Sequence, residues 1–194
     1  MNSKIILASQ SPRRKQLLEW AEVSFEVIVQ PTDESFPTGM PVDLIPVHIA
    51  RNKAMAVINH PAFKKYKPSL PILAADTIVV LDNVVIGKPG DRNEAIDILS
   101  KLSGKKHLVI TGVVLKYEEK EIAFSDTTAV WFHQLTRSQI EFYVDKYKPF
   151  DKAGGYAIQE WIGVIGIQRI EGDFYNVMGL PVSKVAQALR VLNG

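Results

Sequence analysis

Asp76 sits inside an apolar run, Ala74-Ala75-Asp76-Thr77-Ile78-Val79. Asp is depleted in strands, and a buried charge without a partner is costly. Asp76 is therefore either satisfied structurally or faces a cleft where a water or a metal needs a carboxylate. Gly87-Lys88-Pro89 follows the strand that returns from this run, and a hairpin would bring Lys88 back near Asp76. A second cluster is Ala8-Ser9-Gln10-Ser11-Pro12-Arg13-Arg14-Lys15. Its hydroxyls, its two guanidinium groups and the open N–H groups of a starting helix can all engage oxyanions. A capped helix with solvated basic side chains is the plainer reading of the same residues. Asp33-Glu34 and Lys53 are weak signals alone. In Asp151-Lys152-Ala153-Gly154-Gly155-Tyr156-Ala157-Ile158-Gln159, two glycines before an aromatic suggest close backbone approach.

The elements that must position these residues follow from patterning. Lys4 to Ala8 reads as a buried strand. Ser11-Pro12 reads as N-cap and first helical residue of a helix to about Ala21. Phe25 to Val29 is expected as a strand, Pro31 to Pro41 as a loop and Val42 to Ile58 as a helix with Pro46 near its start. Ala62 to Pro71, with Lys64, Lys65 and Lys67, is expected as a basic surface loop. Ile72 to Leu81 and Val84 to Ile86 form a hairpin across Asp82-Asn83. Asp91 to Glu94 starts a helix through Leu102. His107 to Lys116 and Ile122 to Phe132 should pair antiparallel around Glu118-Glu119. Thr136 with Gln139 opens a helix ending near Tyr147, Val164 to Ile170 is expected as a strand, and Pro181 to Leu192 closes the chain as a helix. Mixed helices and strands, some joined by hairpins, predict an α/β protein with a mixed, partly antiparallel sheet.

At 194 residues the chain fits a single domain, 1–194, by the usual allowance of about 150 residues. The net charge of +2 is too weak to argue for a nucleic-acid-coating surface, though it leaves room for a local basic pocket, and the lack of Cys excludes a thiolate nucleophile and a zinc–thiolate site. No run approaches the roughly 18 apolar residues of a membrane span. The apolar run near the start ends after Ala8, too short for a signal peptide, so a cytoplasmic protein is expected. P-loop, G-x-G-x-x-G, G-x-S-x-G and H-E-x-x-H patterns are all missing, and His48, His60, His107 and His133 are scattered.

Taken in order, Ser9-Gln10-Ser11-Pro12-Arg13-Arg14, Asp33-Glu34, Lys53-Ala54, Ala75-Asp76-Thr77, Gly87-Lys88-Pro89, His107 to Gly112, Asp151-Lys152-Ala153-Gly154 and Asn176-Val177-Met178-Gly179-Leu180-Pro181 resemble the Maf family of nucleoside triphosphate pyrophosphatases. The resemblance covers nearly the whole chain. It implies a Maf/ITPase-like fold, with two lobes around a central cleft. It also implies hydrolysis of a nucleoside triphosphate substrate to monophosphate and pyrophosphate with Mg²⁺ or Mn²⁺, in a cytoplasmic and often dimeric protein. By position, Asp76 matches the family's proton acceptor. Ser9, Arg14, Glu34, Lys53 and Lys88 match its polar residues around phosphates and metal, with Glu34 and Asp76 as the metal candidates. Arg13, Thr77 and Gln159 match its specificity positions and look like the dTTP/UTP subgroup. Asp76 either deprotonates the attacking water or holds the metal, and the residues leave both roles open. The reading from another class is a non-catalytic binding protein acting in septum formation. No nucleic-acid polymer or membrane partner is expected.

Overall fold

A computed structural model of the chain describes residues 4–66 and 70–193. Lys67 of the expected basic loop lies outside the described residues, whereas Lys64 and Lys65 belong to a short 3-10 turn, Phe63–Lys65. In chain order the elements are β1 (Ile5–Leu7), α1 (Pro12–Trp20), β2 (Phe25–Val27), α2 (Ile45–Ile58), β3 (Ile72–Leu81), β4 (Val84–Ile86) and α3 (Arg92–Leu102). There follow β5 (Lys106–Tyr117), β6 (Lys120–Phe132), α4 (Arg137–Tyr147), α5 (Trp161–Gly166), β7 (Ile167–Glu171), α6 (Phe174–Met178) and α7 (Val182–Asn193).

The described strands form one seven-stranded sheet in the order β2-β1-β3-β5-β6-β7, with β4 on β3. β1 runs parallel to β2 and β3, while β3–β4 and β6–β7 are antiparallel. This is the mixed sheet flanked by helices that the patterning predicts. Local chemistry sets the boundaries. Ser11 Oγ accepts from Arg14 N, and Pro12 occupies the first turn of α1, where a missing N–H is harmless. Asp82 and Asn83 both adopt positive φ, the geometry of a tight hairpin turn that Asn and Asp tolerate. Thr136 and Gln139 complete a reciprocal capping box on α4.

One expectation fails at 164–166. The strand expected from Val164 starts only at Ile167, because Trp161–Gly166 coil into α5. Glu160 O accepts from both Gly163 N (2.9 Å) and Val164 N (3.3 Å), which starts a helical turn despite the β-branched residues. α6 is a further short helix, for which the patterning gave no expectation.

The chain divides into two compact units. One takes the residues up to Asp76, Thr111–Asp126 and the residues from Gly179 on; the other takes Thr77–Ile110 and Thr127–Met178. The first has a core of Ile6, Ala8, Ile28, Val47, Ala50, Ala54, Val57, Ile72, Ala74 and Val114. Alanines on both α2 and the strands let helix and sheet approach closely. Gly112 on β5 marks the closest point: a Cβ there would lie 2.2 Å from Pro46 C and Val47 N, in the first turn of α2. That contact sets the height of α2, which carries Lys53 two turns later.

In the second unit His107, Phe132 and Tyr156 pack edge to face with centroids 5.0–5.5 Å apart. His107 is 1% exposed, its Nε2 lies 2.7 Å from the Tyr156 hydroxyl, and its Nδ1 has no hydrogen-bond partner among the described residues. Burial pushes the His107 pKa down from 6.5 to about 4 and pushes the Tyr156 hydroxyl up. A base with a depressed folded pKa is protonated first in the unfolded chain. Stability is therefore complete above about pH 6.5 and falls as pH drops toward 4, by about 3 kcal/mol. Urea midpoints at pH 7 and pH 4.5 should show this loss, and His107→Phe should flatten it. An equally steep profile in the variant would assign the acid loss to carboxylates.

Candidate active site

Lys53, Asp76, Glu34, Arg14 and Ser9, all expected site residues, lie in the first unit. Lys53, on α2, places Nζ 2.6 Å from Asp76 Oδ1 and 2.7 Å from Glu34 Oε1. One ammonium thus bridges two carboxylates, which lie no farther apart than those two distances end to end. The Asp76 and Lys53 side chains are 11% and 17% exposed and that of Glu34 is 44% exposed, so the cluster runs from a buried carboxylate outward to a solvated one. Asp76 is held on β3, an otherwise apolar strand, which fixes its position. Glu34 is held by its neighbours: Asp33 accepts from both Ser35 N (2.8 Å) and Ser35 Oγ (2.6 Å). These bonds also hold the Asp33 carboxyl below its ordinary pKa.

Arg14 is the fourth. It is buried on α1, donates from Nη1 to Ser9 Oγ (2.9 Å) and from Nε to Gly179 O (2.7 Å). Ser9 and Arg14 are thereby locked together and tied to the Asn176–Pro181 turn. Burial lowers the Arg14 pKa from its ordinary value, Asp76 opposes that fall, Arg13 adds to it and Glu34 opposes it. The guanidinium therefore senses both carboxylates of the Lys53 bridge. Arg13 is half-buried one position earlier.

Thr77, Lys88 and Gln159 belong to the second unit. Thr77 follows Asp76 on β3 and is half-buried. The β3–β4 ladder ends at Val79↔Ile86, leaving exposed Lys88 two residues beyond it. Gly154 N donates to Gly87 O (3.1 Å), tying this stretch to the glycine pair. Gly154 has φ 69°, and a Cβ there would sit 2.9 Å from Val79 Cγ2, so the close approach expected of the glycine pair falls at Gly154, while at Gly155 the nearest atom would be 3.7 Å away. Gln159 lies in a tight turn closed by Glu160 N donating to Ala157 O (3.1 Å). Its side chain is exposed and makes no hydrogen bond to the described residues.

Tyr143 and Glu160 were not singled out by residue type, yet with Lys152 they meet at that turn. The Tyr143 hydroxyl accepts from Ala157 N (3.2 Å) and donates to Glu160 Oε2. Lys152, buried, lies 2.8 Å from Asp151 Oδ1 and 3.6 Å from Glu160 Oε1. Lys152 had a signal, a lysine beside two glycines, whereas Tyr143 reads as one more apolar-face aromatic of α4.

The sequence profile of the family described as Maf-like protein matches residues 4–192. The chain belongs to the Maf family. Among its curated Maf relatives, a Cytophaga hutchinsonii protein is 50% identical over 188 residues, covering 97% of this chain and 84% of its own. One from Parabacteroides distasonis is 48% identical, covering 96% and 95%. One from Thermosipho africanus is 47% identical, covering 94% and 90%. Each carries the name dTTP/UTP pyrophosphatase. A solved structure of the Staphylococcus aureus Ham1 protein overlaps 67% of this chain and 72% of its own at TM-score 0.43 and 14% identity, too slight a likeness to carry weight.

Among the described residues of this Maf chain, no group of three or more His, Asp or Glu could hold a metal ion. The acidic donors available are the Glu34–Asp76 pair. Mg²⁺ is usually bound by one or two carboxylates together with substrate phosphate oxygens and water, so the pair fits a cation that arrives with a triphosphate. No described helix is long and apolar enough to cross a membrane.

Proposed function

We propose that the protein is a cytoplasmic pyrophosphatase that hydrolyses dTTP and UTP to the monophosphate and pyrophosphate with a divalent cation. The observation that carries this is the convergence of Asp76 and Glu34 on Lys53, in a chain whose relatives bear that activity in their names.

A triphosphate resists attack because its oxygens repel an incoming nucleophile. Lys53 supplies a positive charge beside Asp76 and Arg14 adds to it; Lys88 is proposed as a further residue for the phosphates. Glu34 would hold the divalent cation, joined by Asp76 where that carboxylate serves as ligand in place of base, and the cation would supply further positive charge to the phosphate oxygens. Asp76 takes the proton of a water whose oxygen forms a bond to the α-phosphorus. The bond from the α-phosphorus to the bridging oxygen breaks, and pyrophosphate leaves with that oxygen. Asp76 must release Lys53 to do this, and a phosphate oxygen is the natural new partner for the ammonium.

Product analysis by chromatography tests the reaction. The expected products are monophosphate and pyrophosphate, dependent on added Mg²⁺ or Mn²⁺. Orthophosphate with a diphosphate product would mean attack at the γ-phosphorus and would refute the scheme.

Gln159, Arg13 and Thr77 are the residues we assign to base selection. Uracil and thymine offer the O4 acceptor beside the N3–H donor, and an amide matches both. Guanine presents two adjacent donors, N1–H and the 2-amino group, which a carboxylate matches and an amide does not. A mismatched buried polar group costs about 1–3 kcal/mol, or roughly 5- to 150-fold. Gln159→Glu should therefore depress kcat/KM for dTTP more than for GTP. An unchanged ratio would remove Gln159 from base recognition.

A further inference from the structure

We infer that Tyr143 is a positioning residue for base selection, acting through Gln159, and that Glu160 and Lys152 complete the brace. The inference rests on the base-reading role proposed for Gln159 and names what holds that side chain in place.

The turn Ala157–Glu160 presents Gln159 at its third position, and among the described residues one main-chain bond closes it, from Glu160 N to Ala157 O. A four-residue turn held by one such bond is a poor platform for an exposed amide. Tyr143 changes this, because its hydroxyl uses both of its bonding modes on the two ends of the turn. It accepts from Ala157 N at one corner and donates to the Glu160 carboxylate at the other. The ring that carries the hydroxyl is fully buried and stacks on Tyr147, with centroids 5.0 Å apart and planes 23° apart. The hydroxyl is thus a fixed point on α4, fourteen residues away in sequence. Lys152 stands against the outer oxygen of the same carboxylate, and Gly163 lets α5 start against the turn, since a Cβ there would lie 1.7 Å from Ile158 O. Tyr143 bonds both ends of the turn and Lys152 pairs with Glu160 at 3.6 Å, while among the described residues none bonds to the Gln159 amide. The amide is left to a ligand while its backbone is clamped on both sides, the arrangement that makes selection by one hydrogen-bonding side chain effective.

The experiment is kcat/KM for UTP and for GTP in wild type, Tyr143→Phe, Gln159→Ala and the double variant. Tyr143→Phe keeps the ring and removes only the hydroxyl. It should narrow the UTP-to-GTP ratio by roughly 3- to 10-fold, the scale of one hydrogen bond. Gln159→Ala should narrow it at least as far, and the double variant no further than Gln159→Ala. An unchanged ratio in Tyr143→Phe beside a narrowed one in Gln159→Ala overturns the positioning role and leaves Gln159 as the base reader. An unchanged ratio in Gln159→Ala overturns both. Equal losses for both nucleotides in Tyr143→Phe, or a further narrowing in the double variant, make the hydroxyl merely structural and overturn the inference. Should Tyr143→Phe be too unstable to assay, Glu160→Ala, at a half-buried position, must narrow the ratio, and an unchanged ratio there is equally fatal.

Discussion

Replacing Asp76 by Asn should cut turnover by roughly 10²- to 10⁴-fold while the protein stays folded. Asn is isosteric and keeps an Oδ1 that can accept from Lys53. It can neither take a proton from water nor offer a charged oxygen to a cation. Removing one partner of a buried ion pair ordinarily destabilises strongly, because the other charge is left uncompensated. Here the ammonium retains Glu34, 2.7 Å away, so the usual penalty is cushioned. Activity and stability are therefore expected to separate. Steady-state rates and thermal unfolding on the same preparation decide the matter. A variant with more than about a tenth of wild-type turnover would make the carboxylate structural, since loss of a general base alone exceeds that factor.

Gly112→Ala should act the other way, through the fold. The added methyl would collide with main-chain atoms of Pro46 and Val47 at 2.2 Å, and main chain cannot rotate aside as a side chain can. Either β5 or α2 must shift. Overpacking typically costs 1–3 kcal/mol, and a backbone collision belongs at the top of that range, about 3 kcal/mol. For a chain of this size that is a fall in Tm of roughly 6–12 °C. Turnover of the molecules that remain folded should fall too, because a displaced α2 carries Lys53 away from Asp76. A Tm within about 2 °C of wild type would mean the helix yields easily and does not fix the lysine.

Much of this arrangement is legible in local sequence chemistry. Ser11-Pro12, Asp82-Asn83 and Thr136 with Gln139 each place an element boundary because the relevant hydrogen bonds are made within four residues. The error at 164–166 falls where a helical turn begun at Glu160 overrides the strand character of the residues that follow. Val164 and Ile165 have strand character, yet the Glu160 carbonyl captures two amides and the segment coils. The site divides in the same way. Asp76 stands out because a carboxylate in an apolar strand is anomalous on its own. Glu34 and Lys53 do not, since an acid in a loop and a lysine on a helix are ordinary until the fold brings them to one another. Ser9 and Arg14 read as oxyanion binders, and the structure shows that two of the guanidinium's donors already serve Ser9 and Gly179. Tyr143 leaves no trace in the sequence, because nothing in α4 reveals that its hydroxyl meets a turn fourteen residues later.

The route of the chain between its two units bears on how the protein tolerates damage. It changes unit at 76–77, 110–111, 126–127 and 178–179, and the first three changes fall inside β3, β5 and β6. Neither unit is a contiguous stretch, so no single cut releases one intact. A message truncated after Met178 would yield a first unit without α7, whose buried Val185, Leu189 and Leu192 would have no replacement. Such a product belongs to the quality-control machinery and not to a half-active enzyme. Fragment complementation, domain shuffling and insertion at the unit boundaries are all disfavoured for the same reason, and the lineage is expected to vary this scaffold at its loops alone.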